Sequence, residues 1–275
     1  MMQGVVQSVA GLPGLSLNGV VIALFDIFIL SLRLGSFLVA APFFGSQMVP
    51  LNVRIIFSFL LAFFLYGWVE IPALLEYQYA LLVPVIFFEI VIGLTAGLIF
   101  SIAFSAAALA GEKIAATSGL SFALQVDPST GTQSPVIGQF LTLFLLVLFF
   151  ASDTHLIVFF HMLNSYAVLP IGSILQVEIL YSAIFGASNT MFQNAVLIML
   201  PIVGYILLIN LVVGVITRSA PQLNLFSFGF PITILSTIVI LFFSISPLAN
   251  MLVDIVADHA DVLADLILEL SNGRE

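Results

Sequence analysis

The 275-residue chain alternates long apolar stretches with short segments rich in Pro and Gly. A helix needs about 20 apolar residues to cross the hydrocarbon core of a bilayer, and about six stretches approach or exceed that length. They are approximately Leu17–Ala41, Ile55–Val69, Tyr79–Ala110, Val136–Leu163, Ala183–Thr217 and Phe230–Val256. This pattern predicts an all-α, polytopic integral membrane protein with about six long helices.

Two of the stretches are longer than a bilayer requires, and each contains a proline. Pro84 lies in Tyr79–Ala110, and Pro201 lies in Ala183–Thr217. A proline inside a helix removes a backbone hydrogen bond and bends the helix. We therefore expect these two helices to be bent, broken or extended beyond the lipid.

The composition narrows the function classes. Hydrophobic residues make up 62% of the chain and charged residues 7%, whereas a soluble domain carries about a quarter charged residues. A soluble enzyme is excluded on this ground. The formal net charge of -9 argues against nucleic acid as a partner, because it repels phosphates. No low-complexity tract or long polar linker divides the chain, so we expect one domain over residues 1–275.

The sequence offers no pattern typical of catalysis. It has 0 Cys, which excludes thiolate nucleophiles and iron–sulfur sites, and no HExxH, GxSxG or Walker A pattern occurs. His155 and His161 are six residues apart, so their rings point to different faces of a helix, whereas a helical metal site needs ligands one turn apart. We predict that the protein is not an enzyme and has no cofactor and no metal.

Three charged residues fall inside apolar stretches: Asp26, Arg33 and Glu89. Charges at membrane depth are costly, so they normally face protein, water or a partner. Asp26 and Arg33 are seven residues apart, which places them on one helical face. One interpretation is a proton or ion path, for which Glu89 is the best candidate. The other is a structural pair, or a charge near a helix end that reaches the headgroups.

Small residues recur every four positions in the third stretch, at Gly93, Gly97, Ser101 and Ser105. This spacing forms a ridge with little side-chain bulk, along which another helix can approach closely. We predict a helix-packing surface, whose partner lies either in this chain or in another.

The segment 112–135 is a predicted loop, rich in Gly and Ser, with an apolar centre at Gly119-Leu-Ser-Phe-Ala123. Apolar residues in a long loop require burial, which is typical of a lid or constriction. A re-entrant loop packed inside the bundle is the alternative.

The C-terminal residues 254–275 have the pattern of an acidic amphipathic helix. Aspartates are spaced four, three and four residues apart on one face, and aliphatic side chains cover the other face. The aspartates are Asp254, Asp258, Asp261 and Asp265, and the aliphatic residues are Ile255, Val262, Leu266 and Leu270. We predict a solvated acidic face, with a basic docking partner as the alternative.

Five groups of residues together resemble the FliR family of flagellar export-gate proteins, called SctT in injectisomes. The order of the groups, their spacing and the total length all fit, and the likeness covers nearly the whole chain. The groups are Arg33-Leu-Gly with Ala41-Pro-Phe-Phe-Gly45 and Pro50; Glu89-Ile-Val-Ile-Gly93; Ala110-Gly-Glu-Lys-Ile114 with Gly119-Leu-Ser-Phe-Ala and Asp127-Pro128; His155 with Leu169-Pro-Ile-Gly172; and Arg218-Ser-Ala-Pro-Gln-Leu-Asn224 with Gly229-Phe-Pro231.

The resemblance implies a subunit of the flagellar type III export gate in the bacterial inner membrane, at the flagellar basal body. Family members assemble with FliP, FliQ and FlhB around a conduit for unfolded flagellar subunits. Their tilted, kinked helical hairpins form a helical assembly. A flagellar system is favoured over an injectisome on overall likeness.

The resemblance also implies a pore plug at the GLSF pattern, here Gly119, Leu120, Ser121 and Phe122. An apolar constriction blocks ions in an idle pore by dewetting. A second hypothesis is an ion-coupled secondary transporter that uses Asp26, Arg33 and Glu89 as a relay, because transporters also use broken helices and small-residue ridges.

Overall fold

A computed structural model describes residues 17–45, 49–69, 82–120, 136–173, 176–220 and 228–272. Helices are the regular structure throughout these ranges, and no strand occurs within them. The described residues form eight helices: α1 (Leu17–Ala40), α2 (Leu51–Leu65), α3 (Leu82–Ser118), α4 (Val136–Ala151), α5 (Thr154–Val168), α6 (Val177–Ser219), α7 (Phe230–Phe243) and α8 (Ile245–Asn272). The predicted all-α class is confirmed.

The helices include several that are long and apolar enough to cross a bilayer. Three qualify alone, namely α1 over Gly19–Ala40, α3 and α6, and the number rises to five if each of two bent helix pairs counts as one span. Helix α2 has 15 residues, or about 22 Å at 1.5 Å per residue. It is shorter than the hydrocarbon core, so the six predicted stretches do not give six equivalent spans.

The prolines do not interrupt their helices. Pro84 lies in the first turn of α3, where a backbone amide has no helical acceptor to lose. Pro201 lies inside α6, which continues unbroken over 43 residues. The sequence predicts that these stretches are bent, broken or longer than the lipid. The structure shows two continuous helices of 37 and 43 residues, so neither is broken at its proline.

The breaks occur in two other stretches: Val136–Leu163, which has no proline, and Phe230–Val256, where Pro247 follows the break by three residues. Pro247 has no amide hydrogen to donate to the Phe243 carbonyl, which favours a break between α7 and α8. Helices α4 and α5 meet at 70°, and α7 and α8 meet at 67°. At the first break Asp153 has a φ of 57°, a left-handed conformation that ends a right-handed helix and is tolerated by Asp better than by most residues. At the second break Ser244 has φ -89° and ψ 1°, and α8 begins at the next residue.

The first part of the predicted loop 112–135 is helical. Helix α3 continues through Ser118, so residues 112–118 are helical and the prediction of a loop there is wrong. Residues 121–135 lie outside the described residues. The helix continues because its last turns contain alanines and a lysine, which favour helix, and turn-forming residues occur only afterwards.

The chain divides into two compact units. One contains the described parts of residues 1–99, 158–184 and 263–275, and the other contains those of residues 100–157 and 185–262. Helices α3, α5, α6 and α8 each contribute residues to both units.

In the first unit α1 packs against α2 through small side chains. Ser58 and Ala62 of α2 are buried, and a Cβ on Gly35 of α1 would lie 3.4 Å from the Ser58 Oγ. Most large side chains of α2 point away from this contact, and Phe63 and Phe64 are both well exposed, although Leu65 is buried. Small residues inside and large apolar residues outside are typical of helices in a lipid environment.

Helix α8 has the two faces that the sequence predicts. All four aspartates are exposed, whereas Ile255, Leu266 and Leu270 are buried and Val262 is half-buried. His259 is on the buried side, and its Nδ1 lies 2.7 Å from the backbone oxygen of Ile255, one turn earlier.

In the second unit α3 and α4 come close together at two glycines. A Cβ on Gly111 would lie 2.5 Å from the Cα of Gly138. This distance is shorter than any contact between non-bonded carbon atoms, so the approach requires that residue 111 lack a side chain. A Cβ on Gly138 would be less crowded, at 3.2 Å from the Ala108 oxygen.

We predict opposite effects of the same substitution at two helical glycines. Gly111→Ala destabilises the protein, because the new methyl group meets backbone that cannot move aside. At Gly204 a Cβ would meet nothing within 4 Å, so Gly204→Ala is expected to stabilise by about 0.5–1 kcal/mol through helix propensity. Thermal unfolding of the detergent-extracted variants measures both, and equal effects would contradict the close contact.

Candidate functional site

A buried ion pair joins α1 to α3. Arg33 donates from Nε to the Oε2 of Glu89 at 2.8 Å and from Nη2 to the Oε1 at 3.0 Å. The guanidinium and carboxylate therefore face each other in a bidentate arrangement, the strongest geometry for this pair. The two residues are 0% and 1% exposed.

Residues at the end of α5 complete the surroundings of Arg33. Its Nη1 donates to the Oγ of Ser165, and its Nη2 also donates to the backbone oxygen of Leu169, both at 3.0 Å. The guanidinium carbon lies 4.2 Å from the centre of the Tyr166 ring, within the range of a cation–π interaction. The Tyr166 hydroxyl donates to the backbone oxygen of Leu30 at 2.6 Å.

These contacts explain how a charge is accommodated in an apolar interior. Burying an ion pair costs desolvation energy that is recovered only with good geometry and further hydrogen bonds, and the Arg33 site supplies both. The sequence indicated Arg33 and Glu89 but missed Ser165, Tyr166 and Leu169. These residues lie more than 130 positions from Arg33 along the chain, so no local pattern links them to it. Leu169 does belong to one of the groups that carry the family resemblance.

Asp26 does not join this cluster. It is half-buried on α1, and among the residues that the structure describes it has no ion-pair partner. The sequence left open a pairing of Asp26 with Arg33. The structure pairs Arg33 with Glu89 instead, because the guanidinium is saturated by partners on two other helices.

The small-residue ridge of α3 meets α1 at its N-terminal half. A Cβ on Gly93 would clash with the Ser36 Oγ and the Arg33 backbone oxygen, and one on Gly97 would lie 2.5 Å from the Ala40 Cβ. For these two glycines the partner helix is therefore in the same chain. Ser101 is half-buried and Ser105 exposed, and the Ser105 hydroxyl donates to the Ser101 backbone oxygen at 2.8 Å.

The residues proposed for the plug begin where α3 ends. Gly119 has a φ of 83°, a left-handed conformation that commonly terminates helices and favours glycine. Leu120 follows and is half-buried. Ser121 and Phe122 lie outside the described residues.

No metal site is found in the part of the chain that the structure describes. No group of three His, Cys, Asp or Glu side chains comes together there. His155 packs beside Phe150, with ring centres 4.9 Å apart, so its surroundings are aromatic.

Comparison with known proteins decides the family. A model of bacterial export proteins, family 1, matches residues 24–259. The chain is 33% identical over 227 residues to the flagellar biosynthetic protein FliR of Bacillus subtilis, covering 80% of this chain and 86% of the relative. The chain belongs to the FliR family. It is also 28% identical to FliR of Escherichia coli, covering 87% and 91% of the two chains. FliR of Pectobacterium carotovorum is 36% identical, covering 67% and 71%. The predicted resemblance is confirmed.

The structure groups the sequence features on which the FliR resemblance rests. Arg33, Glu89 and Leu169 come from three separate groups and meet at the buried ion pair. In the second unit, Gly119 of the GLSF pattern lies against Phe230 of the Gly229-Phe-Pro231 group. Residues far apart in this FliR-family chain therefore form two compact clusters, one in each unit.

We predict that Arg33→Met destabilises the protein more than Arg33→Met combined with Glu89→Leu. The single substitution leaves the Glu89 carboxylate buried without a partner, at a cost of about 3–5 kcal/mol, whereas removing both charges is much less costly. The free energy of unfolding of the detergent-extracted protein measures the difference. Asp26→Asn is the control, expected within about 0.5 kcal/mol of the parent. A double variant as unstable as the single one would contradict the importance of the pair.

Proposed function

We propose that this chain is a subunit of the flagellar protein export gate in the bacterial inner membrane, and that it has no catalytic activity. Membership of the export family over residues 24–259 carries the proposal. The proposed companions are the FliP and FliQ membrane subunits and FlhB, with unfolded flagellar subunits as transient substrates.

The apolar surface of α6 supports assembly with other proteins. Large apolar side chains are exposed along this helix from Val177 to Val215, about 57 Å at 1.5 Å per residue. A bilayer core about 30 Å thick, crossed at the steepest common tilt of about 40°, covers only about 39 Å of a helix. The remaining apolar surface favours contact with other proteins, because its exposure to water costs about 25 cal/mol per Å².

The buried ion pair argues against the alternative of an ion-coupled transporter. A relay requires groups that exchange protons or ions with water, but Arg33 and Glu89 are buried and neutralise each other. Asp26, on the same helix as Arg33, has no ion-pair partner among the described residues. The burial and pairing of Arg33 and Glu89 therefore favour a structural function for this pair, of which Asp26 is not a member.

Within the gate, we propose that Gly119, Leu120, Ser121 and Phe122 close the conduit when no substrate occupies it. Leu120 and Phe122 supply the apolar bulk, because the residues just before them, Ala116 to Ser118, are small. An apolar constriction excludes ions by dewetting and yields to a passing chain without breaking ionic bonds.

The test of the gate proposal is native mass spectrometry of the tagged full-length chain, extracted gently from the membranes of its own host. We expect a large hetero-oligomer that contains several copies of two smaller hydrophobic proteins. A monomer or homodimer that is stable without other subunits would contradict the proposal and favour the transporter.

The plug predicts a specific leak. Phe122→Ala, or deletion of residues 119–123, should let small ions pass while export continues, because the apolar closure is lost but the conduit remains. Phe122→Leu keeps most of the bulk and serves as the matched control, expected to stay tight. Membrane conductance of cells that express each variant provides the measurement, and unchanged conductance in both the Ala variant and the deletion would disprove the plug.

A further inference from the structure

The last four backbone carbonyls of α3 all have hydrogen-bond partners. The final carbonyls of a helix have no partner within the helix ladder, so each needs another donor when it is away from water. Two of the four are satisfied locally: the Ser118 hydroxyl donates to the Ala115 oxygen at 2.9 Å, and the Gly119 amide donates to the Ala116 oxygen at 3.3 Å.

The other two carbonyls are satisfied by side chains of distant helices. The Asn210 amide of α6 donates from Nδ2 to the Thr117 oxygen at 3.3 Å. The Thr233 hydroxyl of α7 donates to the Ser118 oxygen at 2.9 Å, in competition with the Phe230 oxygen of its own helix at 3.0 Å. Ser118 and Thr233 are both buried, so water does not readily replace the bond between them.

A ring contact holds the next residue. A Cβ on Gly119 would lie 2.5 Å from the Cδ1 and 2.9 Å from the Cε1 of Phe230. The ring therefore occupies the space where any other residue would carry its side chain. Gly119 is required both by this contact and by its positive φ.

The end of α3 differs from an ordinary glycine-terminated helix in which residues supply the hydrogen-bond donors. In an ordinary ending, the chain that follows the glycine supplies the missing donors. Here two of the donors and the packing ring come from α6 and α7. The place where the chain leaves α3 therefore depends on side chains that lie about 90 to 115 residues away along the sequence.

We propose that Asn210, Phe230 and Thr233 form a clamp that fixes the chain at Gly119 and Leu120. They are positioning residues, which act by holding the end of α3 in one place. The clamp rests on the proposed function in one respect only, namely that the segment beginning at Gly119 closes the conduit. If that segment is the plug, loosening the clamp weakens the closed state without removing any plug residue.

The decisive variant is Thr233→Val, which keeps the shape of the side chain and removes the hydroxyl. Thr237→Val is its matched control, because Thr237 is also buried on α7 but its hydroxyl donates at 2.7 Å to the Thr233 oxygen within the same helix. Asn210→Leu tests the second hydrogen bond independently. Thr233→Ser restores the hydroxyl and should restore the behaviour of the parent protein.

The first measurement reads the position of the chain directly. Because the chain has 0 Cys, cysteines introduced at Leu120 and at the exposed Leu208 of α6 are the only sites of this chain that take spin labels, and the complex with the unsubstituted chain gives the background from other subunits. In the assembled complex we expect a narrow distance distribution with Thr237→Val and Thr233→Ser. We expect a broader or shifted one with Thr233→Val and Asn210→Leu. A Thr233→Val distribution identical to that of Thr237→Val would overturn the clamp, provided that both variants assemble to the same extent.

The second measurement is ion leak through cells that express each variant. The loss of one hydrogen bond of ordinary net strength favours the loosened state by about fivefold, so Thr233→Val should leak about that much more than Thr237→Val. A broadened distribution without leak supports the clamp and counts against the plug. Leak from Phe122→Ala, with unchanged position and no leak from Thr233→Val or Asn210→Leu, supports the plug and overturns the clamp.

Discussion

A guanidinium that is fully buried in an apolar chain has to find its partners within the protein. Arg33 does so by bonding to groups from two other parts of the chain: the carboxylate of Glu89 from α3, and the Ser165 hydroxyl and Leu169 carbonyl from the end of α5 and the residue after it. Each of these groups would itself be costly to leave unpaired. Hydrogen bonds to Arg33 therefore join the helices of the first unit as much as apolar contacts do. The small residues Gly93 and Gly97 of α3 allow α3 to approach α1 closely.

Polar groups that need hydrogen-bond partners also join helices in the second unit, although these groups are uncharged. The end of α3 is surrounded by protein, and its last carbonyls take hydrogen bonds from Asn210 and Thr233. Backbone polar groups in an apolar environment must be satisfied by the protein itself. In both units polar groups on separate helices pair with one another, whereas many of the large apolar side chains on α2 and α6 are exposed. Outward apolar surface suits a chain that belongs in a membrane or in a larger assembly.

Two long helices supply residues to both units. Helices α3 and α6 have 37 and 43 residues, and each contributes to both compact units. A helix of this length carries side chains to places far apart, so one element supplies Glu89 to the buried pair and Gly119 to the start of the proposed plug. The segment that we propose as the plug therefore follows directly on the helix that carries Glu89.

The sequence by itself determined the all-α class, the family and the identity of the buried charges, because apolar stretches, quoted residue groups and isolated charges are local properties of the chain. It did not determine where the helices bend. The two prolines expected to bend helices, Pro84 and Pro201, lie in continuous helices, whereas the breaks occur near Asp153 and Ser244. Pro247, three residues after Ser244, was a local signal for the second break, but no proline lies near Asp153. Nor did it show that Glu89, and not Asp26, pairs with Arg33, or that Phe230 lies on Gly119. Those contacts join residues from separate helices, and only the tertiary structure brings such residues together.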